Sequence, residues 1–242
     1  MPDAPPVGWL REYVYAHRGL HGHGRPENSP AAFAAAIARG LGIECDIRRS
    51  RDGRAMVFHD ATLDRLTGGE GRTDMLTVGE LTGLTLTGGT DTIPTLRDLL
   101  EQVAGKVPLL LELKSNRGES ITTLCRAVRR DLEGYRGLVA VMSFDPRIGA
   151  WFARRSPATV RGLVVTEEGA RTLSAAVKRH IAVWHARPHF LAYDVRDLPS
   201  AFAASHRARG LPVLTWTVSS AALRQRAAEH ADAPIAEGPG IA

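Results

Sequence analysis

Cysteine is scarce in this 242-residue chain, with only Cys45 and Cys125. Two thiols are too few for a disulfide framework, and their separation has no metal-ligand pattern. Both are expected to be reduced, buried, small apolar residues. Aromatic residues are also few, at 6% of the chain. A surface for single-stranded nucleic acid needs aromatic platforms beside gathered cations. Here the arginines are dispersed instead: Arg126, Arg129 and Arg130, then Arg154 and Arg155, Arg207 and Arg209, Arg224 and Arg226. The net charge of +5 and pI near 9.7 are therefore read as solvated helix faces, compatible with an anionic substrate, and nucleic acid is not expected as a partner. No stretch approaches the roughly 20 consecutive apolar residues of a membrane-spanning helix. The opening Met1-Pro2-Asp3-Ala4-Pro5-Pro6 has neither the basic nor the apolar region of a secretory leader, which leaves a cytoplasmic location as the expectation.

What is present is an ordinary globular composition, 44% apolar and 24% charged. Short β-rich runs alternate with helical stretches from end to end. The runs are Val14–Ala16, Ile43–Ile47, Ala55–His59, Leu109–Lys114, Leu138–Phe144, Val160–Val165, Phe190–Val195 and Pro212–Val218. Eight such runs in a chain near the roughly 250 residues of a (β/α)₈ barrel predict an α/β fold of that closed type; an open doubly wound sheet is the alternative. Without repeats or linkers, residues 1–242 read as a single catalytic barrel domain. Ser29 caps a first helix, with Pro30 at its first position and Gly40 past its last turn. Only Arg48–Arg54 separate the second and third runs, too few for a crossover helix, and Asp52-Gly53 signals a turn, so a hairpin-like connection that makes the barrel irregular is left open. A small Thr- and Gly-rich insertion follows the third strand, at about residues 60–93, with one short helix expected near Val78–Leu84.

Four polar motifs fall at the ends of predicted strands: His17-Arg18-Gly19, Glu44-Cys45-Asp46, His59-Asp60 and Glu112-Leu113-Lys114. Strand side chains alternate, so Glu44 and Asp46 share a face opposite Cys45, and Glu112 shares one with Lys114. Three carboxylates turned inward need partners or a metal. An all-oxygen set of Glu44, Asp46 and Glu112 suits Mg²⁺ or Ca²⁺ better than zinc. Arg18 and Lys114 add fixed positive charge, the first as a planar fork. Such a set fits a phosphoryl group, and His17 and His59 supply a proton acceptor and a proton donor. The bland readings are structural histidines, a solvated E-x-D strand end and a lysine that merely neutralises Glu112. None of them explains why all the strand ends carry this set together.

At these residues the chain resembles the glycerophosphodiester phosphodiesterases, in their bacterial, cytoplasmic form. Ala16-His17-Arg18-Gly19 is followed by Pro26-Glu27-Asn28-Ser29, and Ile43-Glu44-Cys45-Asp46 leads through Arg51-Asp52-Gly53 to Val57-Phe58-His59-Asp60. Leu63, Arg65, Thr67 and Gly68, then Ile93-Pro94-Thr95-Leu96 and Leu111-Glu112-Leu113-Lys114, continue the pattern. Beyond residue 116 only Ser143-Phe144 and Thr215-Trp216-Thr217-Val218 match. The resemblance implies a TIM-type barrel and a divalent metal (Mg²⁺ or Ca²⁺, with Mn²⁺ also admitted) on Glu44, Asp46 and Glu112. It also implies acid–base catalysis by His17 and His59, and phosphate binding by Arg18 and Lys114. Glu27 would steady Arg18 or the metal shell, and Trp216 would wall a glycerol pocket. The implied reaction releases sn-glycerol 3-phosphate and an alcohol from a small anionic phosphodiester, through attack of the glycerol 2-hydroxyl and a cyclic phosphate. Which histidine acts first is left open.

The end of the chain departs from the pattern. Glu237, in Ile235-Ala236-Glu237-Gly238-Pro239, stands where many members carry Thr-Asp. His21 and His23 form an unusual His-Gly-His that reads as a polar loop. Rival readings are a related barrel acting on lysophospholipids or phosphoinositides and a non-catalytic phosphodiester-binding barrel. The Thr/Gly-rich insertion favours a soluble substrate over the first; the paired histidines and the acid cluster weigh against the second.

Overall fold

The computed structural model describes residues 5–22, 24–116, 118, 120–168 and 172–241, so Met1–Ala4 and His23 lie outside the described residues. Its fold class is α/β, the TIM-type (β/α)₈ barrel. The chain divides into two compact units, residues 16–138 and residues 1–15 with 139–242. The boundary runs through β1 (Tyr15–Ala16).

The first unit is built around β2 (Gly42–Arg49), which pairs in parallel with β4 (Leu109–Leu113). Along β2, Ile43, Cys45 and Ile47 alternate with Glu44 and Asp46, all of them buried. Cys45 and Cys125 are free and buried, as expected. Helix α1 (Pro30–Ala38) starts as the sequence predicts: Ser29 Oγ accepts from Ala32 N at 3.2 Å, Pro30 holds the first position, and Gly40 follows at φ 65°. Phe33 of this helix is fully buried.

One open point about the strands is decided here and one expectation needs correcting. The third run is only β3 (Ala55–Val57) and lies antiparallel to β2, Ile47 opposite Val57 and Arg49 opposite Ala55. The short Arg48–Arg54 link closes a hairpin, so β3 extends β2 rather than serving as a parallel barrel strand. Pairing with β3 also carries β2 on to Arg49, which places Glu44 and Asp46 in mid-strand instead of at its end.

The segment after β3 is not an unstructured loop. Leu63, Leu66, Leu81, Leu86 and Ile93 close over Met56 and Phe58 as a small core of its own. Each such side chain stabilises the segment by roughly 1.5–3 kcal/mol when fully buried. The expected short helix is present as α2 (Val78–Thr82), preceded by a 3₁₀ turn at Thr73–Met75. Thr77 and Glu80 form a capping box at its start, and Thr95 and Asp98 do the same for α3 (Leu96–Val103). Helix α4 (Thr122–Asp131) completes the unit.

The second unit is a run of parallel strands in sequence order: β5 (Val139–Ser143), β6 (Val160–Val165), β7 (Phe190–Asp194), β8 (Val213–Val218) and β9 (Ala233–Ala236). Helices α5 (Pro146–Arg155), α6 (Leu173–Ala186), α7 (Ala201–Ala208) and α8 (Ala221–His230) connect them. Strand β9 was not expected from the sequence. Its four residues include Pro234, which has no N–H for a ladder and argues against a strand. The bulged pairing between Thr215 and Val218 of β8 accommodates it.

Candidate active site

All the polar groups described next, except where stated, belong to the unit of residues 16–138. The site starts from strand register. Asp46 on β2 lies beside Glu112 on β4, and alternation sets Glu44 on the same face one step down. One oxygen from each of Glu44, Asp46 and Glu112 lies within 4.8 Å of the others, and all three residues are buried.

Two cations face this cluster. Lys114, just past β4, is placed by its own N–H, which donates to Ile47 O at 3.0 Å. Its Nζ reaches Asp46 Oδ1 at 3.0 Å and Glu112 Oε1 at 2.5 Å. Arg18 sits on a turn that only a tight backbone permits. Gly19 takes φ 78°, and a Cβ there would meet Ala32 and Phe33 of α1 at 3.0 Å. Arg18 N donates to Glu44 Oε2 at 3.1 Å, Nη1 donates to Glu27 Oε1 at 2.8 Å, and Nε stands 3.3 Å from Asp46 Oδ2. Glu27 is thus a hydrogen-bond partner of the Arg18 guanidinium.

Charge bookkeeping then asks for a cation. Three carboxylates against Arg18 and Lys114 leave one negative charge in a buried place. Burial first, then the charges of Asp46 and Glu112, push the Glu44 carboxyl well above the ordinary range. Burial also raises Glu112, against Lys114 and with Asp46. For Asp46 burial is outweighed by Lys114, His59, Arg18 and the Asn28 amide, which hold it below the usual range. Glu44 Oε1 is buried and has no hydrogen-bond partner among the described residues. An all-oxygen donor set with an unsatisfied buried carboxylate oxygen fits a hard divalent cation. That cation would turn the residual charge to a single positive one, which a phosphodiester monoanion cancels.

Two histidines act on this cluster, His17 by proximity and His59 through its charge on Asp46. His17, directly after β1, has Nε2 at 4.0 Å from Glu44 Oε2. His59 follows β3 by two residues and is tied to β2 because Phe58 N donates to Asp46 O at 2.9 Å. His59 Nδ1 meets Asp60 Oδ1 at 2.6 Å, and Arg48 Nε donates to the His59 carbonyl at 2.6 Å. Burial first, and then Lys114 and Arg18 against the opposing Asp46, hold the His59 imidazolium below its ordinary pKa. Asp60 is held down to about 2, first by the Arg65 hydrogen bond and further by His59.

Three residues here had been given no role from the sequence. Arg65 joins both halves of the site: Nε and Nη2 donate to Asp60 at 2.6 and 2.9 Å, Nη1 and Nη2 to Glu27 at 3.0 and 2.9 Å. Asn28, at φ 56°, donates from Nδ2 to Asp46 Oδ2 at 2.9 Å and accepts from Asp46 N at 3.2 Å. Asn is one of the few side chains that tolerate that conformation, which was the available signal. Arg48 is the third; nothing in its local sequence distinguishes it from the neighbouring Arg49.

The remaining residues singled out from the sequence have local partners of their own. Trp216 belongs to the second unit, on β8, where Nε1 donates to Ala192 O at 2.9 Å and Phe144 packs edge-on at 5.4 Å. Glu237 follows β9, with its N–H donating to Val218 O at 3.0 Å. His21 lies on the turn after Gly19, its N–H donating to Gly19 O at 2.9 Å.

A model of the glycerophosphoryl diester phosphodiesterase family matches residues 17–233. A glycerophosphodiester phosphodiesterase from Caldanaerobacter subterraneus subsp. tengcongensis is 37% identical over 116 residues, 44% of this chain and 46% of that protein. Such matches span less than half the length of the curated relatives. Among solved structures, a phosphodiesterase from Oleispira antarctica in complex with the product sn-glycerol-3-phosphate superposes with a TM-score of 0.82 at 25% identity, covering 94% of each chain. A glycerophosphodiester phosphodiesterase from Thermotoga maritima superposes with a TM-score of 0.72 at 27% identity, covering 93% of each.

Proposed function

Because the chain belongs to the glycerophosphoryl diester phosphodiesterase family, we propose that it hydrolyses small glycerophosphodiesters to sn-glycerol 3-phosphate and an alcohol, with a divalent metal and a pair of histidines. The observation that carries the reading is the meeting of Glu44, Asp46 and Glu112 within 4.8 Å, with Arg18 and Lys114 against them. A divalent cation held by these three carboxylates would polarise a phosphoryl oxygen and offset charge built up at phosphorus. Mg²⁺ and Ca²⁺ suit the oxygen set best.

The chain's own residues supply the rest. Arg18, fixed by Glu27, and Lys114 bind the non-bridging phosphate oxygens and stay charged throughout. The ionised Asp60 accepts a proton bond from His59 Nδ1, which leaves Nε2 with its lone pair outward. A depressed pKa keeps this imidazole neutral near pH 7, which supports giving His59 the base role. His59 then takes the proton of the glycerol 2-hydroxyl as that oxygen bonds to phosphorus. His17 gives a proton to the departing alcohol oxygen as the second P–O bond breaks. Water opens the cyclic phosphate with the two roles reversed. Each such proton transfer contributes about 10²–10⁴-fold to the rate.

The test is release of glycerol 3-phosphate from glycerophosphocholine, glycerophosphoethanolamine and glycerophosphoglycerol, with and without EDTA. Turnover that EDTA abolishes and Mg²⁺ or Ca²⁺ restores is expected. No release with Mg²⁺, Ca²⁺ and Mn²⁺ each supplied would overturn the reading.

A further inference from the structure

Helix α6 presents its side chains in reverse of an ordinary surface helix. Its small residues Ala182, Val183 and Ala186 turn inward, onto the cluster of Leu163, Val165, Leu191 and Tyr193. The approach to α5 is close: a Cβ at Gly149 would lie 2.8 Å from Ala186 O. Its large apolar residues turn outward: Leu173 is 83% exposed, Val177 48%, Ile181 57% and Trp184 75%. Their spacing of i, i+4, i+8 and i+11 puts them on one stripe, about 16 Å long at 1.5 Å per residue. A single exposed leucine needs no explanation, but an aligned stripe ending in tryptophan marks an interaction surface.

The charges carried by α5 and α6 are of one sign. Lys178 on α6, Arg154 and Arg155 in the last turn of the adjoining α5, and Arg187 just past α6 are all exposed. Neither helix contains an aspartate or glutamate. Of the two acids ahead of α6, Glu167 is held by Arg179 at 3.5 Å and Glu168 precedes the Thr172 cap by four residues. Trp184 also lines a groove of about 310 Å³ together with Ala150, Ala153, Arg154, His185 and Arg187.

We infer that the α6 face docks on an anionic phospholipid surface, with α6 lying in the plane of the interface. The Leu173–Trp184 stripe enters the boundary between headgroups and acyl chains, and the flanking cations meet lipid phosphates. Tryptophan at the headgroup level is the usual anchor of such a helix. The charge pattern favours lipid over a second copy of this chain. A two-fold pairing through the stripe would bring the cations of one copy, Lys178, Arg154 and Arg187, toward those of the other. Docking stands independently of the reaction proposed above, since it uses none of that site's residues.

The test is co-sedimentation of the full chain with vesicles of phosphatidylcholine alone and of phosphatidylcholine mixed with phosphatidylglycerol. Binding to the mixed vesicles is expected to be roughly tenfold or more tighter, to weaken with added salt, and to shift tryptophan emission to the blue. The double variant Ile181→Ser/Trp184→Ser and the charge reversal Lys178→Glu/Arg154→Glu should each lose roughly tenfold or more of that binding. Unaltered circular dichroism and release of glycerol 3-phosphate from soluble substrate show that the variants are folded. Absence of vesicle binding, or binding that Ile181→Ser/Trp184→Ser leaves intact, overturns the inference. So does a concentration-dependent dimer that the same variant dissolves, since a second copy would then cover the face.

Discussion

His59 Nδ1 and Asp60 Oδ1 stand 2.6 Å apart, between residues that are neighbours in the chain. The contact exists because β3 ends two residues earlier and Arg65 draws the Asp60 carboxylate into place with two further bonds. Under the proposed reaction this contact gives Asp60 the part of orienting the imidazole.

Replacing it should separate orientation from charge. Asp60→Asn is expected to lower kcat by about tenfold or more while KM changes little, because the amide no longer selects one tautomer. His59→Ala should cost about 10²–10⁴-fold. Steady-state kinetics on glycerophosphocholine, with circular dichroism as the control for folding, check both; equal kcat for Asp60→Asn and the native chain would refute the orienting role.

Glu44 carries the unpartnered buried oxygen. Glu44→Gln keeps the bond from Arg18 N and removes one negative charge. Divalent-metal affinity should fall by about tenfold or more, since ligand charge sets the affinity of an all-oxygen site. Titration calorimetry with Mn²⁺ reads this without any substrate, and unchanged affinity would remove Glu44 from the ligand set.

Asn28 is a stability prediction. Asn28→Ala deletes both bonds to Asp46 and puts a β-carbon residue with no local hydrogen bond at φ 56°. A cost of about 1–3 kcal/mol is expected from the carboxylate left less satisfied. Asn28→Gly relieves the backbone but not the carboxylate, and should recover only part of the loss. Urea midpoints of the three proteins decide it.

The pH dependence of stability has a local contributor in the second unit. Burial, with Arg161 adding to it, holds His189 down to about 4, and its Nδ1 accepts from Arg161 N at 3.4 Å. The unfolded chain takes up this proton near pH 6.5, where the folded one refuses it. The stabilisation is therefore complete above about 6.5 and is lost as pH falls toward about 4. His189→Gln should flatten the rise of stability with pH across that window relative to the native chain, as measured by urea midpoints at several pH values.

The sequence by itself determined the chemistry available and the element type that carries each piece. Glu44 and Asp46 share a face because strands alternate, and Ser29-Pro30 starts a helix because capping is a contest among adjacent groups. The recurrence of β and helical runs determined the fold class for the same reason: it depends on local period. Tertiary structure alone decided that the Pro-containing Ala233–Ala236 is a strand, and that Arg65 spans Asp60 and Glu27. It also decided which face of α6 is left bare. Local energies are written in neighbouring residues, whereas pairing direction, bridging contacts and the covering of a face depend on groups tens of residues away. Their positions exist only once the chain has closed on itself.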